Sequence, residues 1–264
     1  MTQRWRDKWA LVTGPSAGIG RELARQLAAG GAHLLLVARR RERMEEIAAE
    51  ARAKHGVRAE VLVADLSQPE TPQAIFDFTR EKRIEVELLV NNAGFGVHGE
   101  FHRRTYARFA EMVQVNVTAV VHLTHLFLPA MIERRRGDIL VVSSTAAFQA
   151  VPYIATYAAT KAFELVWAEA LAEELAPFGV RVCALCPGST STEFQQIAGS
   201  PPNALRVPET AEKVARVGLR ALAAGKRVAI SGGRNWVGVQ AQRVLPRAAV
   251  SKLAARLFKK DEEK

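Results

Sequence analysis

The sequence predicts a single α/β domain built on a doubly wound, seven-stranded parallel sheet. Three observations carry that expectation: seven short apolar runs alternate with segments of helical period, a glycine-rich turn follows the first run, and polar motifs recur at the carboxyl ends of later runs. A chain of 264 residues, 48% hydrophobic and 24% charged, has a globular composition and the length to bury one large core.

Residues 9–12, 33–37, 60–64, 88–90, 138–142, 180–185 and 227–230 are almost continuously apolar, the mark of strands buried on both faces. Helices are expected near residues 18–30, 41–54, 70–83, 104–134, 153–176 and 208–224. That β-α-β rhythm forces parallel pairing through right-handed crossovers. In such sheets ligands bind beyond the carboxyl ends of the strands, so residues placed there are the candidates for function.

The first strand ends in Thr13-Gly14-Pro15-Ser16-Ala17-Gly18-Ile19-Gly20. Glycines at this spacing let backbone N–H groups and the positive helix terminus face a pyrophosphate. The second strand ends in Arg39-Arg40, about twenty residues past the glycines, where an NAD-binding protein usually carries an acid. Guanidinium groups pair with a 2′-phosphate in bidentate fashion, so NADP(H) is expected in preference to NAD(H), with Arg39 the main contact. Later in the chain Tyr157 and Lys161 stand at i and i+4, on one face of a helix. A nearby ammonium favours the phenolate, which makes Tyr157 a candidate general acid/base with its pKa drawn down toward working pH.

The glycine turn T-G-x-x-x-G-x-G, the Y-x-x-x-K pair and a serine thirteen residues before the tyrosine together resemble the short-chain dehydrogenase/reductase family, traceable from about residue 8 to 233. The resemblance implies a Rossmann-like fold, a nicotinamide cofactor and hydride transfer at a carbonyl or alcohol carbon. It places the pyrophosphate against Gly14, Ser16, Ala17, Gly18, Ile19 and Gly20, and adenine against Asp65 and Leu66. Asn92, Ala93 and Gly94 would line the cofactor after the fourth strand. Asn116 would hold a water linked to Lys161, and Ser144 the substrate oxygen. Ser143 is the alternative serine, and the usual interval favours Ser144. Lys161 and Tyr157 would meet the nicotinamide ribose. Pro187, Gly188, Thr190 and Thr192 would hold the carboxamide. A homodimer or homotetramer is implied as well. A non-catalytic NADP-binding sensor or scaffold is the rival reading, opposed by the intact Ser-Tyr-Lys set.

Phe95, Val97, Phe148, Val151, Ile154 and Phe194 lie beside these motifs and suggest an apolar pocket; residues 194–207 read as an irregular lid. Cys183 and Cys186 fall three apart on a strand and so face opposite sides, which argues for buried, inert thiols. His122 and His125 have helical metal spacing without an acidic or thiol companion, and no metal is expected.

Thirteen Lys/Arg and three Asp/Glu occupy residues 213–264, which holds the whole net charge of +10. Residues 1–233 are therefore assigned to the cofactor-binding catalytic domain and 234–264 to a basic amphipathic extension. Val250, Leu253, Leu257 and Phe258 recur at helical spacing after Pro246. Such a helix suits an anionic membrane surface, or packing on the domain or a second subunit; both remain open. Aromatics for base stacking are nearly absent there, so nucleic acid is not an expected partner. No apolar run approaches the ~20 residues of a membrane span and the start lacks a signal-peptide core, so a cytoplasmic location is expected.

Overall fold

The computed structural model describes residues 3–199 and 208–259. The seven expected strands form one sheet: β1 (Trp9–Thr13), β2 (His33–Ala38), β3 (Ala59–Val63), β4 (Val86–Asn91), β5 (Gly137–Val142), β6 (Val180–Cys186) and, after two short strands elsewhere, β9 (Val228–Ile230). Their order is β3-β2-β1-β4-β5-β6-β9, with every pair parallel. The order reverses between β1 and β4, which opens a crevice at their carboxyl ends.

Alternating side chains feed two cores. Ala10 and Val12 face α1 (Gly18–Ala29), α2 (Arg41–His55) and α8 (Ala211–Ala223) through Leu23, Leu27, Met44, Val214 and Leu222. Trp9 and Leu11 face the opposite layer, α3 (Thr71–Glu81), α5 (Ala119–Glu133) and α6 (Ala155–Leu175), through Ile75, Leu123, Phe127 and Leu165. Cys183 joins the first core and Cys186 the second; both are free and buried, as period-two alternation requires. Burial pushes the Cys183 thiol up to about 12.

The long helix expected over 104–134 is instead α4 (Tyr106–Val113), a π-helical turn (Gln114–Thr118) and α5. Together Tyr106–Glu133 are long and apolar enough to cross a membrane. Scanning for uninterrupted apolar runs missed this, because polar residues punctuate the segment. Here Met112, Val115, Leu123, Phe127 and Met131 are buried in the protein.

Among the described residues, four α-helices and strands were not anticipated: α7 (Phe194–Ala198) inside the expected irregular lid, the two-residue pair β7 (Thr190–Ser191) and β8 (Glu209–Thr210), and α9 (Gly233–Gln242). Residues 200–207 of that lid lie outside the described residues. The basic helix is α10 (Arg247–Phe258). It buries Val250 and lays Ala254 beside Met112, Val151 and Ile154, while Leu253 is 56% exposed and so does not belong to the packed stripe.

Candidate active site

Gly14 and Gly18 have φ of +65° and +55°, the left-handed region that favours glycine. A Cβ on Gly20 would stand 2.3 Å from Asn92 Nδ2 and 2.4 Å from the Gly14 carbonyl oxygen, and one on Gly18 would stand 2.8 Å from Thr192 Cγ2. The turn is therefore shaped by contacts that only glycine permits. Asn92 Nδ2 donates to the carbonyls of Thr13 (2.8 Å) and Gly14 (3.1 Å), while Thr13 Oγ1 accepts from the backbone N–H groups of Asn92 and Ala93 at 3.0 Å. These bonds lock the end of β4 to the end of β1.

From this turn a cavity of ≈ 500 Å³ runs to Tyr157. It is lined by Gly14, Ser16, Ala17, Gly18, Ile19, Gly20, Arg39, Arg40, Asp65, Leu66, Asn92, Ala93, Gly94, Ser144, Tyr157, Lys161, Pro187, Gly188, Thr190 and Thr192, so all the expected cofactor and catalytic residues except Asn116 meet on one surface. Glycine turn, basic rim and elongated shape fit a dinucleotide. Asn235 of α9 fills the space above Gly188, where a Cβ would be 2.3 Å from its Nδ2, and sequence analysis gave no sign of it.

Both arginines of the basic rim line the cavity. Arg39 is 67% exposed and only 3.8 Å from Asp65 Oδ2. Arg40 is the organised cation: Nε and Nη2 donate to Ser16 Oγ at 3.1 and 2.9 Å, and Nη1 donates to Glu193 Oε2 at 2.7 Å. Arg43 pairs with the other oxygen of Glu193. The two guanidinium groups hold the Glu193 carboxyl at about 2, well below the usual range, and tie this rim of the cleft to the segment entering α7.

At the far end Ser144 closes β5 and its Oγ accepts from Ala146 N–H at 3.1 Å, starting a short 3₁₀ turn. Ser143 Oγ donates instead to the Lys161 carbonyl at 2.7 Å in a buried bond, which leaves Ser144 as the serine beside the phenol. Tyr153 adopts φ +67° outside the cavity lining, and Tyr106 is 83% exposed, so Tyr157 is the site's phenol. Asn116 sits fully buried in the π turn: Nδ2 donates to the Phe95 carbonyl and to Thr160 Oγ1, both at 3.0 Å, and Oδ1 accepts from Phe95 N–H at 3.2 Å. These three bonds from a buried side chain are the physical reason an asparagine stands there.

The Tyr157 phenol is pushed above its ordinary value, contrary to the lowering expected from spacing alone. Burial is the main cause, Lys161 and Ser144 oppose it, and Glu164 adds to it. Lys161 Nζ lies 5.9 Å from the Tyr157 ring centre and is otherwise engaged: it donates to the Val142 carbonyl at 2.8 Å and to both oxygens of Glu164 at 2.9 Å. Glu164 was not nominated from sequence, although it follows Tyr157 and Lys161 at i+7 and i+3.

Phe95, Val151, Ile154 and Phe194 line the cavity as expected, and the Phe194 ring centre is 5.2 Å from that of Tyr157. Val97 and Phe148 do not: Val97 borders a separate cavity of ≈ 360 Å³, and Phe148 packs into the core on the α6 side. Leu257 and Phe258 of α10 reach the mouth of the site, where His98 Nε2 donates to the Phe258 carbonyl at 2.8 Å. On α5 His122 is half-buried and His125 exposed, away from this lining.

A family model described as short chain dehydrogenase matches residues 8–202. The chain is 35% identical over 185 residues to a very-long-chain 3-oxoacyl-CoA reductase of Phaeosphaeria nodorum, covering 67% of this chain and 53% of that one. It is 33% identical over 190 residues to hydroxysteroid dehydrogenase-like protein 1 of Gallus gallus, covering 71% and 57%. It thus spans about half the length of these relatives. Among solved structures, a short-chain dehydrogenase from Sphingobium yanoikuyae in complex with NADPH superposes with a TM-score of 0.81 at 30% identity, covering 90% of this chain and 94% of that one. A 7β-hydroxysteroid dehydrogenase superposes at 0.87 with 25% identity, covering 96% and 99%.

Proposed function

The chain belongs to the short-chain dehydrogenase family, and on that premise we propose that it is an NADP(H)-dependent oxidoreductase acting on the carbonyl or alcohol carbon of a hydrophobic substrate, with Tyr157 as general acid/base. The carrying observation is the single cavity that joins the glycine turn to Ser144 and Tyr157. NADP(H) is favoured by Arg40, with Arg39 and Arg43 beside it at the adenosine end, and by the NADPH complex of the Sphingobium neighbour. Reduced nicotinamide supplies hydride when bound.

The chain's own residues do the rest. Ser144 Oγ fixes the substrate oxygen, and Tyr157 Oη delivers a proton to it as negative charge develops there. Lys161 supports the phenolate that this leaves behind, and the Asn116 bonds hold the π turn against the loop at Phe95 and against α6. Phe95, Val151, Ile154, Phe194 and Phe258 exclude water and accept an apolar body. The 3-oxoacyl and steroid names of the relatives belong to the same class, ketones carried on large apolar groups. The test is NADPH oxidation, beside NADH, over long-chain 3-oxoacyl thioesters, ketosteroids and small hydrophilic ketones. Turnover of the apolar ketones with NADPH is the expected result. Turnover confined to the hydrophilic ketones, or equal use of NADH, would overturn the substrate or cofactor assignment respectively.

A further inference from the structure

We propose that Glu164 is a positioning residue that restrains Lys161 and thereby keeps the Tyr157 phenol in its proton-donating form. Tyr157, Lys161 and Glu164 follow one another at i, i+4 and i+7 along α6, on the stripe that faces the sheet, and all three are buried. The Glu164 side chain is 2% exposed, and both its oxygens lie 2.9 Å from Lys161 Nζ. An ammonium has three protons to give. The hydrogen bonds of Nζ run to the Glu164 carboxylate, gripped through both oxygens, and to the Val142 carbonyl, and none runs to the phenol.

The groups facing this carboxylate are few. Lys161 and Tyr157 come from its own helix and the Cys186 thiol from β6, with Ser143 and Glu169 acting on that thiol. Lys161 is the sole cation among them. Burial raises the Glu164 carboxyl to about 7, and Lys161 pulls against that rise. At the phenol the two charges act in opposite senses, Lys161 favouring the phenolate and Glu164 the neutral form. The phenol therefore meets the weaker field of an ion pair, not that of a lone ammonium. Stability is a poor reason for such a pair, because well-packed apolar replacements of buried ion pairs are often neutral or better. Control of the phenol is the reason the geometry supports.

The test needs no substrate. The chain has three tyrosines, so the phenolate absorbance of Tyr157 is obtained by subtracting the titration of a matched Tyr157→Phe protein. Glu164→Gln and Glu164→Met both remove the charge, and whichever keeps the native circular dichroism serves. The expected result is a Tyr157 step about one pH unit lower than in the parent, about tenfold more phenolate at a fixed pH, with Glu164→Asp staying near the parent. An unchanged or raised step in the charge-removing variants overturns the proposal. The inference rests on the reductase reading only for its purpose: turnover is not measured, so absence of reductase activity would leave this result standing. Where activity is present, the pH profile of alcohol oxidation moves to lower pH in the same variants.

Discussion

We propose that cofactor choice turns on Arg40, because it alone of the rim arginines is fixed by a neutral partner, Ser16, as well as an acid, Glu193. Charge-assisted bonds of this kind are the strong ones. Arg40→Ala is expected to raise the KM for NADPH about tenfold or more while changing that for NADH little, a difference of about 1.4 kcal/mol; equal loss for both cofactors would contradict the assignment. Glu193 adds a pH dependence. Its carboxyl is held near 2 by Arg43 and Arg40, below the ordinary value of 4.5, so the pair stabilises the fold fully above the ordinary value and loses that contribution as pH falls through about 2. The melting-temperature gap between parent and Glu193→Gln should be flat above about pH 5.5 and close toward pH 2; a gap that widens on acidification would refute the pairing. Sequence could nominate Arg39 and Arg40 by position but not rank them, since Glu193 lies 153 residues away in the chain. It likewise placed Lys161 beside Tyr157 through helical pitch. The direction of the phenol's shift depends on burial by residues from other elements, which pitch does not report.

Among the elements, the central strands were legible because they are buried on both faces and so read as apolar runs, and the half-buried edge strands β3 and β9 kept enough apolar residues to read the same way. The short pieces around the site were not. β7 and β8 have two residues each, too few for any periodicity, and α9 opens with Gly233-Arg234-Asn235, which carries no helical pattern. The π turn left one trace, an asparagine inside an otherwise apolar helical segment. Asn116→Ala would strip Phe95 and Thr160 of their partners and is expected to cost about 1–3 kcal/mol of stability, read from denaturant unfolding. A loss below the scatter of the method would show the π turn holding itself. At the glycine turn, Gly20→Ala places a methyl against Asn92 and the Gly14 carbonyl. Fluorescence titration should then show NADPH binding reduced at least about tenfold.

At the scale of the molecule, the C-terminal helices complete the site instead of hanging from it. α10 closes the mouth with Leu257 and Phe258 and buries Val250 and Ala254, while Arg247, Lys252, Arg256 and Lys259 stay at the surface. The sequence showed an amphipathic basic helix and could not say what its apolar side meets, because that answer lies in Met112, Val151 and Ile154. Ending the chain at residue 246 is expected to raise the KM of an apolar ketone at least about tenfold and leave NADPH affinity unaltered, since apolar side chains of this size contribute about 1.5–3 kcal/mol each when buried. Unaltered KM would detach α10 from the substrate.

The proposed reaction depends on one phenol at the junction of cofactor cradle and apolar pocket, and the most direct measurement is NADPH-dependent ketone reduction by the parent and by Tyr157→Phe, with NADPH affinity measured on both. The predicted result is turnover in the parent, a loss of at least about a hundredfold in kcat in the variant, and NADPH affinity within about threefold between them. A variant that turns over at the parental rate, or a parent that binds NADPH and reduces no ketone, would contradict it.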